Sequence, residues 1–416
     1  MTINTQYSEV LSLVNPVDET VFLKLNLMEL NEIRDKIELS RISFSSWKST
    51  SLNKRKQIIR QIIDYFQDNK NQIATDITKQ MGKPIQQSLN EVDGAIYRMN
   101  GLIEISESAL KVTNFSELDR ITKKILREPL GVILDIAAWN YPLLIAVNIV
   151  IAGVLAGNSV ILKHSSITPL CGKVFEDAFD FSNAPEKLVQ NIICDHDTLS
   201  KIIKANLFDH ISFTGSVNGG RSISESNKSN FIGLGLELGG KDPAYICDDA
   251  DLDFTISNIM DGVFYNAGQS CCGVERIYVH EKVYDKFLNG AIDEMDKLKI
   301  GDPFKKDITL GPLAHKKSIQ FLENQKQDAI NKGVKIIEFN GYIPKFGNYY
   351  RPFIAVNCNH DMDLMKEESF GPIVGIMKVK SDKEAIELMN NSEFGLTTSI
   401  WTTDEKRAKY LADNIE

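Results

Sequence analysis

The chain has 416 residues, 43% of them hydrophobic and 25% charged, with 26 Gly and 12 Pro. That composition matches soluble globular proteins, excludes a disordered, collagen-like or coiled-coil chain, and at about 150 residues per domain predicts two or three domains. The 47 basic and 56 acidic residues give a formal net charge of -9 with no dense Lys/Arg tract, which excludes a nucleic-acid partner.

The opening MTINTQYSEV is polar and carries neither the basic patch nor the apolar core of an export signal. Residues 27–110 show helical spacing, with Ile58, Ile59, Ile62 and Ile63 set among Lys, Arg, Gln and Asp, and predict a helical layer. Residues 109–128 are charged and mildly alternating, with Ile121, Ile125 and Leu126 among basic side chains, and read as an exposed strand pair or arm. From Gly131 the run GVILDIAAW reads as a buried strand, YPLLIAVNIVIAGVLAG as a helix ending in Gly, and SVILK as a second buried strand. This is a βαβ unit of a parallel sheet. The apolar stretch 141–156 is broken by Pro142 and Asn148 and is shorter than the roughly 20 residues of a membrane span, so a buried helix is expected and no membrane partner.

The alternation continues with a strand at 188–194, a helix near 198–205, the strand HISF and a helix after Gly215, giving a doubly wound α/β domain. A second α/β region is expected from about Gly239, with strands at PAYIC, RIYVH, IVGIMKV and TTSIW. Six cysteines, two of them adjacent at Cys271 and Cys272, form no disulfide framework, and no C-x-x-C pair offers structural zinc spacing. A reducing, cytoplasmic setting and no metal site are therefore expected.

GLELGGK at 235–241 satisfies the G-x-x-x-x-G-K spacing of a phosphate-binding loop. Asp242 stands where Ser or Thr would hold magnesium, however, and Glu237 would put a carboxylate inside the phosphate cradle. Electrostatic repulsion opposes that use. The segment NAGQSCCGVER at 266–276 places a cysteine pair between a helical pattern and a strand, where thiolate chemistry is conceivable, although a cysteine alone is more often a small buried hydrophobe.

AAWNYPL (137–143), LKHSSITP (162–169), FTGS (213–216), LELGGK (236–241), GQSC (268–271) and EESFGP (367–372) follow one another in an order and approximate spacing that resembles the aldehyde dehydrogenase superfamily over essentially the whole chain. The resemblance implies an α/β fold with a doubly wound NAD(P)-binding domain from 1–108 and 128–238, an oligomerisation arm at 109–127, and a second α/β, catalytic domain at 239–416. It implies oxidation of an aldehyde to a carboxylic acid with NAD or NADP, and a homodimer or homotetramer.

By the same resemblance Cys271 is the nucleophile, with Cys272 a neighbour able to modulate it. Asn140 is the oxyanion donor, and its alternative role is to cap the helix that begins near Pro142. Glu237 is the base that activates water against the thioester, which implies the hydrolytic branch of the family, and burial beside Leu236 and Leu238 would raise its pKa. Lys163, Ser166, Gly215, Ser216, Gly220, Glu368, Phe370 and Trp139 are the implied cofactor-binding residues, the FTGS turn offering a helix N-terminus to the pyrophosphate.

Four departures stand out. Ser166 occupies the place of a Glu that in many relatives repels a 2′-phosphate, so NAD use with NADP tolerated is expected. Ala138 replaces the usual Pro, and Asn148 stands where several relatives line the substrate tunnel with an aromatic or Arg residue, leaving the aldehyde unspecified. The chain ends at Glu416, directly after the helical stretch EKRAKYLADNIE, whereas family members continue with a Gly-rich loop and a final strand, so the resemblance implies a fragment lacking that C-terminal tail. Two alternatives stay open: a cysteine-dependent esterase or acyl transferase using Cys271 and Glu237 without a redox step, and a catalytically silent binding protein.

Overall fold

The structure, a computed structural model, describes residues 10–115 and 121–416. The chain divides into two compact units, one of residues 1–14, 21–80 and 88–238, the other of 15–20, 81–87 and 239–416. None of the helices among the described residues is long and apolar enough to cross a membrane.

The first unit begins with a hairpin of β1 (Val10–Val14) and β2 (Val21–Asn26), followed by α1 (Leu30–Trp47), α2 (Leu52–Asp68), most of α3 (Lys70–Met81) and most of α4 (Ile85–Ala109). The short antiparallel pair β3 (Thr113–Asn114) and β4 (Lys124–Ile125) is exposed, as expected of the arm; residues 116–120 of that segment lie outside the described residues. Then come β5 (Val132–Ala137), α5 (Pro142–Ala156), β6 (Ser159–His164), α6 (Pro169–Phe181), β7 (Val189–Asn191), α7 (His196–Lys204), β8 (His210–Thr214), α8 (Val217–Asn227) and β9 (Gly233–Glu237). The five strands β5 to β9 form one parallel sheet in the order β7-β6-β5-β8-β9.

The local causes are plain. β5 and β6 are apolar runs buried at every position, as a parallel sheet covered on both faces requires. Pro142 supplies a preset φ at the first turn of α5, and Gly157 ends that helix at φ 98°, a left-handed conformation that suits glycine. One sheet face, with Val132, Leu134, Ile136, Ile161 and Ile211, packs on Ile33 and Ile37 of α1 and on Leu199, Ile202 and Ile203 of α7. The chain leaves β5 toward β6 and β7 and returns to β8 on β5's other side. The β5/β8 boundary is thus a topological switch point, the place where such sheets bind ligands at their strand C-termini.

The second unit carries β10 (Asp242–Ile246), α9 (Leu252–Phe264), a 3-10 turn (Tyr265–Gly268), β11 (Val274–His280), α10 (Tyr284–Asp296) and α11 (Lys316–Asn331). It continues with β12 (Lys335–Glu338), β13 (Phe353–Val356), α12 (Asp363–Lys366), β14 (Ile373–Val379), α13 (Asp382–Asn390), β15 (Ser399–Trp401) and α14 (Glu405–Ala412). Its six-stranded sheet has the order β12-β13-β14-β11-β10-β15, parallel except for the β12/β13 pair. Two parallel-rich α/β units agree with the expected fold class.

Four strands differ from expectation. The β1/β2 hairpin lies ahead of the helical layer, where V-L-S-L-V is apolar at four of its five positions and shows no clear period-2 alternation. β12 and β13 are runs of four residues, too short for periodicity to separate strand from loop.

Candidate active site

In the first unit the candidate residues gather at the C-terminal ends of the parallel strands. Asn140 and Trp139 follow β5, Lys163 is next to last in β6, Gly215 and Ser216 follow β8, and Glu237 ends β9. Asn140 is buried and precedes the α5 cap residue, Tyr141, whose side chain makes no capping hydrogen bond. The cap position of α5 is thus Tyr141, one residue after Asn140. His164 fixes this corner: its Nε2 lies 2.9 Å from the Pro142 carbonyl oxygen and its Nδ1 3.0 Å from Thr168 Oγ1. Burial pushes the His164 pKa down to about 4, so the ring is neutral at pH 7 and serves as a structural tie.

Lys163 is buried, and that burial pulls its ammonium below the usual lysine range, opposed by Cys194 and by the Asp195 carboxylate that caps α7. Ser166 is exposed in the turn after β6. Ser216 caps α8, its Oγ accepting the Gly219 N–H at 3.1 Å. The Gly215 N–H donates to the Glu237 carbonyl at 3.0 Å, which joins the β8–α8 turn to the end of β9. Phe213 covers this turn so closely that a Cβ on Gly215 or Gly219 would sit 2.7 or 2.6 Å from its ring. A Cβ on Gly220 would meet Leu238 at 2.6 Å. The N–H groups of Gly215, Gly219 and Gly220 are all engaged within the turn, so what it offers a pyrophosphate is the positive end of the α8 dipole and a surface without side chains.

Glu237 departs from expectation. It is exposed, and Leu236 beside it is 40% exposed. Adjacent residues of a strand point to opposite faces, so Leu236 and Leu238 cannot cover the Glu237 side chain, and β9 is an edge strand. The phosphate-loop spacing in 235–241 also falls away, because Asp242 opens a strand, with its carboxylate accepting the Thr397 N–H at 3.1 Å, and no helix follows the lysine.

In the second unit Cys271 sits just beyond three successive left-handed residues, Asn266 (φ 54°), Ala267 (φ 55°) and Gly268 (φ 70°). Buried hydrogen bonds hold this bend: Asn266 Nδ2 to the Gln269 carbonyl at 3.0 Å, Gln269 Nε2 to the Asn266 carbonyl at 3.0 Å, and the Ala314 N–H to Gln269 Oε1 at 2.9 Å. The Asn266 N–H donates to Gln87 Oε1 at 3.0 Å. A Cβ on Gly268 would lie 2.1 Å from the Gly371 carbonyl oxygen, so the cysteine loop and the EESFGP loop are in direct contact.

Cys271 is half-buried and Cys272 exposed, with their sulfurs 3.8 Å apart. The hydrogen bond from Cys272, aided by nearby backbone N–H groups, holds the Cys271 thiol down to about 7 against the opposing effect of burial. Glu368 is half-buried and accepts the Gly240 N–H at 3.2 Å. Burial first, and the neighbouring Glu275 carboxylate second, raise its pKa to about 7. Phe370 is half-buried with φ 53°.

Within each unit, then, the candidates cluster: Asn140, Trp139, Lys163, Ser166, Gly215, Ser216, Gly220 and Glu237 in the first, Cys271, Glu368 and Phe370 in the second. Sequence reasoning passed over His164, Gly219, Lys241 and Glu275. Glu275 had a signal, a lone carboxylate inside the buried strand VERIYVH.

A model of the aldehyde dehydrogenase family matches residues 3–416. The chain is 30% identical over 403 residues to the succinate semialdehyde dehydrogenase [NAD(P)+] Sad of Escherichia coli, covering 97% of this chain and 87% of that one. Among solved structures it is similar to succinic semialdehyde dehydrogenase from Streptococcus pyogenes in complex with NADP+, with 29% identity, a TM-score of 0.93 and coverage of 97% and 89%. It is also similar to betaine aldehyde dehydrogenase from Staphylococcus aureus in complex with NAD+, with 27% identity, a TM-score of 0.91 and coverage of 98% and 82%. The chain belongs to the aldehyde dehydrogenase family, as an NAD(P)-dependent enzyme of that family.

Proposed function

We propose that the protein oxidises an aldehyde to the corresponding carboxylic acid through a covalent adduct on Cys271. The observation that carries this reading is the Cys271 thiol, held at about 7 on a loop fixed by buried hydrogen bonds, so that a large share is thiolate at neutral pH. Cys271 Sγ forms a bond to the aldehyde carbon, giving a thiohemiacetal. The Asn140 amide and the Cys271 backbone N–H donate to the oxygen as it gains negative charge. Bound NAD or NADP supplies the two-electron acceptor. Glu237 takes a proton from water, whose oxygen adds to the Cys271 thioester; the C–S bond breaks, the acid leaves and the thiolate is restored.

Lys163, Ser166, Gly215, Ser216 and Gly220 are the residues that would hold the adenosine and pyrophosphate, and Glu368, Phe370 and Trp139 those on the nicotinamide side. The glycine turn at the start of α8 and the buried Lys163 support the first group. Ser166 lacks the charge that repels a 2′-phosphate, which supports NAD use with NADP tolerated. In this reading residues 1–108 and 128–238 bind the cofactor, 239–416 carry catalysis, and 109–127 serve oligomerisation in a homodimer or homotetramer of the cytoplasm. Exposed Ile121, Ile125 and Leu126 support a surface for a second copy.

The test is formation of reduced nicotinamide by the purified chain with a panel of aldehydes, succinate semialdehyde included, using NAD and NADP in parallel. Turnover that disappears in Cys271→Ser is the expected result. Turnover undiminished in that variant would refute the covalent reading.

A further inference from the structure

The loop 367–372 turns through Phe370 in the left-handed region, where a bulky residue is strained unless its surroundings over-determine it. The surroundings here converge on Glu275 of β11. Its side chain is 5% exposed, and its two oxygens are fully engaged. Oε2 accepts Lys241 Nζ at 2.7 Å and the Ser369 N–H at 2.7 Å, while Oε1 accepts the Phe370 N–H at 2.8 Å. Lys241, itself fully buried, donates a second bond to Ser369 Oγ at 2.9 Å. Its chain neighbour Gly240 donates to Glu368 Oε1. Glu368, Ser369 and Phe370 are therefore each tied to Glu275 or to the Gly240–Lys241 segment that Glu275 anchors.

A buried ion pair is weak evidence of net stabilisation. Replacing a buried ion pair by apolar groups of similar size is often neutral or stabilising, whereas a charged pair with every acceptor used imposes one geometry. The geometry imposed here belongs to the loop that carries two candidate cofactor residues.

We propose that Glu275 is a positioning residue for the nicotinamide side of the cofactor: paired with Lys241, its carboxylate locks the Ser369–Phe370 backbone and so presents Glu368 and Phe370 in a single pose. This rests on the reading of Glu368 and Phe370 given under the proposed function. Glu275 acts only through those two residues. Its charge also contributes to the raised pKa of Glu368, so the pH dependence of dinucleotide binding reports on it.

The test uses the full chain and binding rather than turnover. Glu275→Gln keeps the shape but offers a single acceptor oxygen and no charge, so one loop N–H and the Lys241 ammonium lose their partner. Dissociation constants are measured by calorimetry for NAD and for ADP-ribose, which lacks nicotinamide. NAD is expected to weaken about tenfold or more while ADP-ribose stays within about twofold. The pH midpoint of NAD binding is expected to move down from about 7, since a neighbouring negative charge is removed. Equal weakening of both ligands, or no change in either, would overturn the proposal.

Because the single variant strands a buried ammonium, Lys241→Met/Glu275→Gln is measured beside it and is expected to show the same selective loss; unchanged NAD affinity there also overturns the proposal. Glu368→Gln separates the premises. Unchanged NAD affinity in Glu368→Gln overturns the reading of Glu368 as a nicotinamide-side residue and this proposal with it. Loss in Glu368→Gln without loss in Glu275→Gln overturns the positioning role alone.

Discussion

The Sγ atoms of Cys271 and Cys272 lie 3.8 Å apart, and the exposed Cys272 thiol lowers the pKa of its half-buried neighbour. Removing that donor in Cys272→Ala is expected to move the Cys271 pKa up from about 7 toward the ordinary 9.0. The rate of iodoacetamide labelling at Cys271, followed by peptide mapping from pH 6 to 10, reads the midpoint directly. A midpoint unchanged by the substitution would rule out Cys272 as the cause.

Glu237→Gln separates acylation from deacylation. The variant is expected to release about one reduced nicotinamide per chain and then to turn over roughly 100-fold or more slower, the range a general base supplies. Stopped-flow absorbance shows the burst. Steady turnover at the wild-type rate would remove Glu237 from the base role.

Gly268 combines φ 70° with a Cβ direction that points 2.1 Å from the Gly371 carbonyl oxygen. Gly268→Ala is expected to destabilise by about 1–3 kcal/mol and to slow Cys271 labelling, because the bend that sets the thiol must open. Urea unfolding and the labelling rate test the two parts separately.

Asp135 lies inside β5 with both carboxyl oxygens buried and without a hydrogen-bond partner, and burial raises its pKa well above the usual carboxylate range. The native state therefore binds this proton more tightly than the unfolded chain does. Its contribution is present at low pH and is lost as pH rises from the ordinary aspartate range toward the folded pKa. Asp135→Asn removes the titration and is expected to gain about 1–3 kcal/mol on the wild type between pH 5 and 8. Parallel urea midpoints across that range that keep a constant gap would contradict the assignment.

Much of the site was legible because its residues are neighbours in the chain. GQSC places Cys271 after a glycine turn, FTGS marks a strand passing into a helix, and EESFGP brings Glu368 and Phe370 within three positions of each other. The βαβ alternation was equally plain, since strands buried on both faces, such as β5 and β6, read as unbroken apolar runs. The hairpin of β1 and β2 escaped because VLSLV and VFLKLN are short and lack the clean alternation that marks a strand before it is paired.

Glu275 shows where the chain alone falls short. Its charge within a buried strand announces a partner, but Ser369 and Phe370 are 94 and 95 residues away, and no local pattern names them. Glu237 shows the converse: its apolar neighbours suggest burial, while strand geometry at a sheet edge turns its side chain outward. Composition, periodicity and motif order determined the α/β class and the residue types available for chemistry, because those depend on local spacing. Burial and long-range pairing depend on which distant segments the sheets bring side by side, so the carboxyl of Glu368 near 7 and the Lys241–Glu275 lock belong to the tertiary structure alone, whereas the Cys271 thiol is lowered by its chain neighbour Cys272 against the opposing effect of burial.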